Sequence, residues 1–194
     1  MISASTHQLP TSQNQTIEPP RQIVIIDPQI DDRHILAAGV LPGVELLILQ
    51  PDRDGIEQIT QILSFSHPSP PLGEGPGVRD SLHLISHGSP GRLHLGNGTL
   101  ELNTIEQYRP QLQQWGIAHL YIYGCKVAAG DAGAEFITKL HQITSASIYA
   151  NPKLTGNAAK GGTWNLQQIY PSPEAPLPPC SPALPFRQEV LETY

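Results

Sequence analysis

A histidine and a cysteine each follow directly after a short apolar run, and both side chains can take part in acyl transfer. His87 comes after residues 82–86, and Cys125 comes after residues 119–124. The thiolate is the nucleophilic form of cysteine, and an imidazole can accept the thiol proton and later donate it to a leaving group. His87 and Cys125 are therefore a candidate catalytic dyad for acyl transfer.

The two apolar runs must bring these side chains together for such chemistry to occur. Short runs rich in aliphatic and aromatic residues are typical of strands buried in a parallel sheet, where ligands bind at the carboxyl edge. If the two strands are neighbours, their ends lie about 5 Å apart. The backbone N–H groups of Gly88 and Cys125 are then candidate oxyanion donors. The alternative is a strand-end histidine before a turning glycine and a cysteine that only fills space.

The remaining pattern alternates between predicted strands and helices. Strands are predicted at residues 21–27, 45–50, 82–86, 119–123, 147–150 and 163–167. Helices are predicted at residues 54–65, with Asp54 as N-cap, at residues 104–115, interrupted at Pro110, and at residues 131–144. Residues 91–102 predict a hairpin around Asn97-Gly98. This order indicates an α/β three-layer sandwich with a mostly parallel sheet.

Three segments differ from this pattern in composition. Residues 1–20 are polar and are predicted to be a disordered N-terminal tail, followed by a domain at residues 21–170. Residues 67–80 are rich in Pro and Gly and predict an insertion loop that is longer than usual for an α/β unit. Residues 171–194 carry many prolines and are expected to form a C-terminal tail without regular packing.

Charge and cysteine content exclude several classes of protein. The chain has 11 basic and 17 acidic residues and a formal net charge of −6, with no basic cluster, so nucleic acid is not an expected partner. No run approaches the ~20 apolar residues of a membrane span, and no signal peptide is seen, so the cytoplasm is the default expectation. Two cysteines do not make a disulfide scaffold, although a bridge between Cys125 and Cys180 stays open. Nothing in the sequence indicates an oligomeric state.

Histidine and aspartate clusters offer two further hypotheses. His83 and His87 would lie about 13 Å apart on a strand, too far to share a metal ion even with His94 nearby, so no metal and no cofactor are expected. Asp27, Asp31 and Asp32 follow the first predicted strand, where helix capping and solvation are the favoured explanation. The alternative is an acidic substrate pocket at Asp27 and Asp31 that selects a basic residue.

A family resemblance supports the dyad. An apolar run ending in His-Gly, a hairpin and an apolar run ending in a small residue and Cys resemble the caspase–gingipain–legumain superfamily of cysteine peptidases. More closely, LHLISHGSPGRLHLGN, YIYGCKVAAGDAG and LTGNAAKGGTWNLQ resemble the bacterial family catalogued as domain of unknown function 4347. The likeness covers residues 23–168 and leaves out the insertion and both tails.

The resemblance implies a caspase-like fold in which His87 and Cys125 match the dyad. It also implies peptide-bond hydrolysis or self-processing, with a peptide or protein substrate as the expected partner. Members of the closer family often stand at the N-terminus of large surface or adhesin-like proteins, which implies processing or sorting of a larger chain. Thr163 stands where the Gly-Gly-x-Trp motif leads us to expect an acidic residue. The alternative function is a non-catalytic interaction or sorting module that retains the fold.

Overall fold

The computed structural model describes residues 21–66, 80–171 and 184–193. The predicted N-terminal tail, most of the predicted insertion, and Cys180 lie outside these residues. The strands described are β1 (Gln22–Ile26), β2 (Glu45–Ile48), β3 (Ser81–Ile85), β4 (Gly88–Ser89), β5 (Arg92–Leu95), β6 (Gly98–Glu101), β7 (His119–Ile122), β8 (Ser147–Ala150) and β9 (Gln167–Tyr170). The helices are α1 (Arg33–Ala38), α2 (Gly55–Ser66), α3 (Arg109–Gln114), α4 (Gly130–Thr144) and α5 (Gln188–Thr193), with a 3-10 turn at Ala158–Lys160.

A six-stranded sheet forms the centre of the fold, in the order β2-β1-β3-β7-β8-β9. All pairs in it are parallel except β8 with β9, which is antiparallel. This confirms the predicted α/β class with a mostly parallel sheet. None of the helices in the described ranges combines the length and the apolar character that crossing a bilayer requires.

Alternation along β1 shows how the sheet forms two apolar faces. Ile23 and Ile25 pack with residues of α2, α3 and α4 in one cluster, whereas Val24 and Ile26 pack with residues of α1 and α5 in another. Because successive side chains of a strand point to opposite faces, a run without polar residues is required wherever helices cover both sides. The helices therefore lie on both faces of the sheet.

The helices predicted at residues 54–65 and 131–144 hold with shifts of one residue, whereas the helix predicted at residues 104–115 begins only at Arg109. Asp54 is the N-cap of α2, and its Oδ1 accepts the backbone N–H of Glu57 at 3.0 Å. Pro110 stands in the first turn of α3, so the predicted interruption is a helix start, preceded by turns over residues 102–108. The α4 helix matches its prediction closely.

The predicted hairpin is formed by β5 and β6, with a turn one residue earlier than expected. Leu95 pairs with Gly98, so the two turn residues are Gly96 and Asn97 rather than Asn97 and Gly98. Gly96 has φ +63° and Asn97 does not have a positive φ, an arrangement that requires glycine at the first turn position. A third strand, β4, precedes the hairpin and pairs with β5.

The C-terminal end differs most from its prediction. Residues 163–166 are irregular, and the last sheet strand, β9, begins at Gln167. Residues 184–193 pack on the domain instead of forming a loose tail, with Phe186 and Leu191 buried in the cluster that contains Trp164. Phe186 also forms an isolated bridge with Val40. Prolines between residues 171 and 185 do not prevent the segment after them from packing, because its apolar side chains have a face of the sheet to cover.

Candidate active site

His87 and Cys125 follow two neighbouring strands at the same edge of the sheet. The parallel register of β3 and β7 runs from Ser81 opposite His119 to Leu84 opposite Ile122. His87 lies three residues beyond Leu84, and Cys125 lies three residues beyond Ile122. Adjacent strands are spaced by about 4.8 Å, so the two residues leave the sheet side by side at its carboxyl edge.

Two glycines allow the chain segments at this edge to pack closely. A Cβ on Gly88 would stand 2.5 Å from Cγ2 of Val127 and 3.1 Å from the Cα of Gly124. A Cβ on Gly124 would stand 2.6 Å from the same Val127 methyl group and 3.5 Å from the Cα of Gly88. The residue after His87 and the residue before Cys125 are therefore in contact, and any larger side chain at either position would separate them.

The His87 ring is exposed and oriented by a backbone carbonyl. Its Nε2 lies 3.2 Å from the carbonyl oxygen of Gln29, in the turn after β1. A carbonyl oxygen can only accept a hydrogen bond, so Nε2 carries the proton in the neutral ring. Nδ1 is then left with a free lone pair that can accept a proton.

Asp27 holds the turn that supplies this carbonyl. Its side chain is fully buried at the end of β1; Oδ1 accepts the N–H of Gln29 at 2.9 Å, and Oδ2 accepts the N–H of Gly96 at 2.7 Å. Such burial favours a structural role for Asp27 over the substrate-pocket hypothesis. Asp31 is exposed, and its assignment to a substrate pocket stays a prediction. Asp32 is the N-cap residue of α1, but its side chain makes no capping hydrogen bond.

Cys125 begins a tight turn whose geometry differs from ordinary loop backbone. The residue is half-buried, and its Sγ lies 3.7 Å from the carbonyl oxygen of Thr155. Lys126 has φ +58°, a left-handed conformation that is uncommon for a residue with a side chain. Its N–H donates to the carbonyl of Lys153 at 2.9 Å. Strained backbone of this kind is concentrated at functional sites.

The backbone N–H of Cys125 has no hydrogen-bond partner within the described ranges of the chain. An N–H without a partner, beside a thiol, can donate to an oxyanion that forms on a substrate carbonyl. The assignment of Gly88 and Cys125 as oxyanion donors stays a prediction.

The side chains of His87 and Cys125 are not hydrogen-bonded to each other in the part of the chain described. His87 donates to Gln29, whereas the Cys125 thiol is directed at Thr155. The site therefore holds a proton acceptor and a nucleophile at one edge, with the thiol turned toward the loop after β8.

Three residues of this site were not found from the sequence. The carbonyl of Gln29 orients His87, and the left-handed Lys126 shapes the turn after Cys125. Neither role can be recognised from the type of residue at these positions. Asn151 is a buried polar residue at the end of β8. The sequence feature that could have indicated Asn151 is the Asn-Pro pair directly after an apolar run, which marks a turn at the same edge of the sheet.

His83 lies away from this site, inside the sheet face that α1 and α5 cover. It is fully buried, its Nδ1 lies 3.3 Å from the hydroxyl of Tyr123, and its ring stacks on Tyr121 at a centroid distance of 4.5 Å. Burial lowers the pKa of His83 to about 3, so the ring is neutral at ordinary pH. Across the described residues, no three His, Cys, Asp or Glu side chains group closely enough to hold a metal ion.

Thr163, the residue in the position where an acidic side chain was expected, closes a small turn. Its Oγ1 accepts the N–H of Asn165 at 3.1 Å, and its own N–H donates to Leu154 at 2.9 Å. The preceding Gly162 packs against the backbone of Gly156, and a Cβ on Gly162 would stand 2.7 Å from the nearest atom of Gly156. The Gly-Gly-Thr-Trp segment therefore shapes the loop between β8 and β9.

Comparison with protein families matches residues 23–194 to the family described as Domain of unknown function (DUF4347). The chain belongs to this family. The match extends past residue 168, so the packed C-terminal segment is part of the family domain. None of the curated proteins matches the chain.

Proposed function

We propose that this member of the DUF4347 family is a caspase-like cysteine peptidase-type domain that uses His87 and Cys125 for peptide-bond hydrolysis or self-processing. The observation that carries the proposal is the common position of the two residues. Each stands three residues past the last position at which β3 and β7 pair with each other, and Gly88 and Gly124 pack against each other beside them. A mostly parallel sheet with this pair of strand ends agrees with the caspase-like fold that the sequence resemblance implies.

The hydrogen bonds at the site support a division of roles. Because Nε2 of His87 donates to Gln29, Nδ1 is the atom that accepts a proton. The thiol of Cys125 transfers its proton to Nδ1, and the sulfur attacks the carbonyl carbon of the peptide bond. The N–H of Cys125, which has no partner among the described residues, donates to the resulting oxyanion.

The remaining steps return the site to its starting state. The C–N bond breaks as His87 donates the proton to the leaving amine, and a thioester on Cys125 remains. Water then attacks the thioester, the acid product leaves, and the proton returns to sulfur. The thiol must first turn away from Thr155, since its hydrogen-bond partner is that carbonyl rather than His87.

That same contact favours a second candidate function. A thiol directed at a backbone carbonyl, with no hydrogen bond to the imidazole, is also what a non-catalytic interaction or sorting module would contain. Such a module would keep the fold, including the carboxyl edge of the sheet, but would not catalyse a reaction.

Cleavage of a peptide library by the wild-type chain and by four variants separates the two functions. We expect turnover by the wild type and by Cys180→Ala, and a loss of at least about 1000-fold in Cys125→Ala and His87→Ala, the usual scale for removing a member of such a unit. His34→Ala, a variant of an exposed histidine on α1, is the matched control and should retain activity. Equal cleavage by Cys125→Ala and the wild type would exclude the peptidase. If the wild type cleaves no peptide but binds one, and Cys125→Ser binds the same peptide equally well, the interaction module is favoured.

A further inference from the structure

We infer that Asn151 is a positioning residue for Cys125, an inference that rests on the proposed function of the thiol. Asn151 directly follows β8, the strand next to β7, so it leaves the sheet at the same edge as Cys125. Asn151 is only 3% exposed. A buried amide needs its donors and acceptors satisfied, so the contacts of this side chain carry its role.

The amide of Asn151 joins the two ends of the loop between β8 and β9. Its Oδ1 accepts the N–H of Lys153 at 2.8 Å, which closes a tight turn directly after the strand. Its Nδ2 donates to the carbonyl of Asn165 at 3.1 Å, near the point where the loop returns to the sheet. One side chain therefore fixes the start of the loop against its end.

The loop segment that Asn151 fixes is the one that contacts Cys125. The carbonyl of Lys153 accepts the N–H of Lys126, the residue after Cys125, at 2.9 Å. The carbonyl of Thr155 faces the Cys125 sulfur at 3.7 Å. Lys126 has a left-handed φ, so its turn depends on outside contacts to keep its shape.

These contacts form one path from Asn151 to the sulfur. The amide sets the turn at Lys153, the turn sets the carbonyls of Lys153 and Thr155, and those carbonyls hold the main chain of Lys126 and the side chain of Cys125. Within the described residues, the side chain of Asn151 makes no hydrogen bond to Cys125. It acts by fixing where the sulfur lies at the edge it shares with His87.

Asn157 in the same loop provides a matched control, because it makes the same kinds of bond. Its Oδ1 accepts the N–H of Ala159 at 2.7 Å, and its Nδ2 donates to the carbonyl of Glu192 in α5. Neither of these bonds leads to Lys153, Thr155 or the turn after Cys125. Replacing Asn157 therefore removes the same kinds of hydrogen bond from the same loop, at a more exposed position and outside the path to the sulfur.

The experiment measures the alkylation rate of Cys125 by iodoacetamide, with the Cys125 peptide followed by mass spectrometry so that Cys180 does not contribute. In Asn151→Ala we expect the rate to rise about threefold, the scale of losing a weak hydrogen bond to a half-buried sulfur. Asn157→Ala should react at the wild-type rate. Asn151→Ser keeps a hydroxyl that can accept the Lys153 N–H, so it should fold more readily and show a smaller rise than Asn151→Ala.

Kinetics on a cleaved peptide supply a second readout. Displacing a nucleophile without removing substrate contacts should lower kcat on the order of tenfold in Asn151→Ala and leave KM close to the wild-type value. Alkylation rates in folded Asn151→Ala and Asn151→Ser that equal those of Asn157→Ala would overturn the inference, whatever the cleavage result. If the wild type cleaves no peptide but alkylation changes as expected, the positioning role stands and the proposed peptidase function fails.

Discussion

Gly88 and Gly124 lie in contact at the carboxyl edge of the sheet, with the Cα of Gly124 only 3.1 Å from where a Cβ of Gly88 would stand. His87 precedes the first glycine and Cys125 follows the second, so this contact sets the spacing of the two reactive side chains. Because neither Gly88 nor Gly124 has a side chain, the segments after β3 and β7 remain close where the hydrogen bonds between the strands have ended.

Replacing Gly88 by alanine should therefore separate the two segments. The new methyl group overlaps Cγ2 of Val127, and we expect a loss of about 1–3 kcal/mol in the free energy of unfolding, the usual cost of overpacking. Urea denaturation measures this change. In a Val127→Ala background the penalty of Gly88→Ala should be smaller, because the overlapping methyl group is gone. Equal penalties in both backgrounds would show that the overlap with Val127 is not the cause.

The buried carboxylate of Asp27 gives a second prediction. Both of its oxygens accept backbone N–H groups, so Asp27→Asn would place an amide N–H₂ against one of these donors. The expected loss in the free energy of unfolding is about 1–3 kcal/mol. Asp52→Asn, at an exposed position, should stay within about 0.5 kcal/mol of the wild type. An Asp27→Asn variant as stable as Asp52→Asn would contradict the role assigned to this carboxylate.

The pKa of His83 predicts how stability depends on pH. Burial lowers this pKa from 6.5 to about 3, so as pH falls the unfolded chain takes up a proton near pH 6.5 while the folded chain keeps the ring neutral until about pH 3. The contribution of His83 is present above pH 6.5 and is lost as pH falls through this window, by about 1 kcal/mol per pH unit.

The variant His83→Phe isolates this effect from the titration of other groups. Urea unfolding of the wild type and of His83→Phe, compared between pH 6.5 and pH 3, should show a flatter dependence in the variant. Parallel curves for the wild type and His83→Phe would mean that His83 titrates normally in the folded chain.

The packed C-terminal segment gives a fourth prediction. Phe186 is 4% exposed, lies in the cluster with Trp164 and joins a bridge to Val40. Truncating this side chain in Phe186→Ala should cost about 3–5 kcal/mol, whereas Leu154→Ala, with a residue that is 42% exposed, should change stability little. Thermal denaturation of both variants checks the difference. A Phe186→Ala midpoint close to that of Leu154→Ala would show that the segment does not pack in solution.

Much of the sheet could be predicted from the sequence because its strands are buried on both faces. Val24 and Ile26 face one layer of helices, and Ile23 and Ile25 face the other, so the run of residues 23–26 needs no polar residue. The short α1 helix cannot be recognised in the sequence, because six residues are too few to show a helical period. The last strand was placed about four residues early, since Trp164 packs against Phe186 and Leu191 instead of joining the sheet.

The site could be predicted only in part, because a sequence shows residue types and strand ends but not which distant groups are in contact. His87 and Cys125 are reactive residue types at the ends of visible strands, so type and position both point to them. Gln29 acts through its main-chain carbonyl, which every residue has, and Asn151 acts through a partner that is distant in sequence. Asp27 was found by its type, but only the fold shows that Gly96 and Gln29 occupy its oxygens.

Labelling with a peptidyl acyloxymethylketone tests the central claim most directly, because this electrophile requires both a nucleophilic sulfur and a bound peptide. The account predicts that the probe modifies Cys125 in the wild type, that His87→Ala slows this reaction by about 100-fold or more, and that Cys180→Ala leaves it unchanged. Labelling of Cys125 at the same rate in His87→Ala and the wild type, or labelling that persists undiminished in Cys125→Ala, would contradict it.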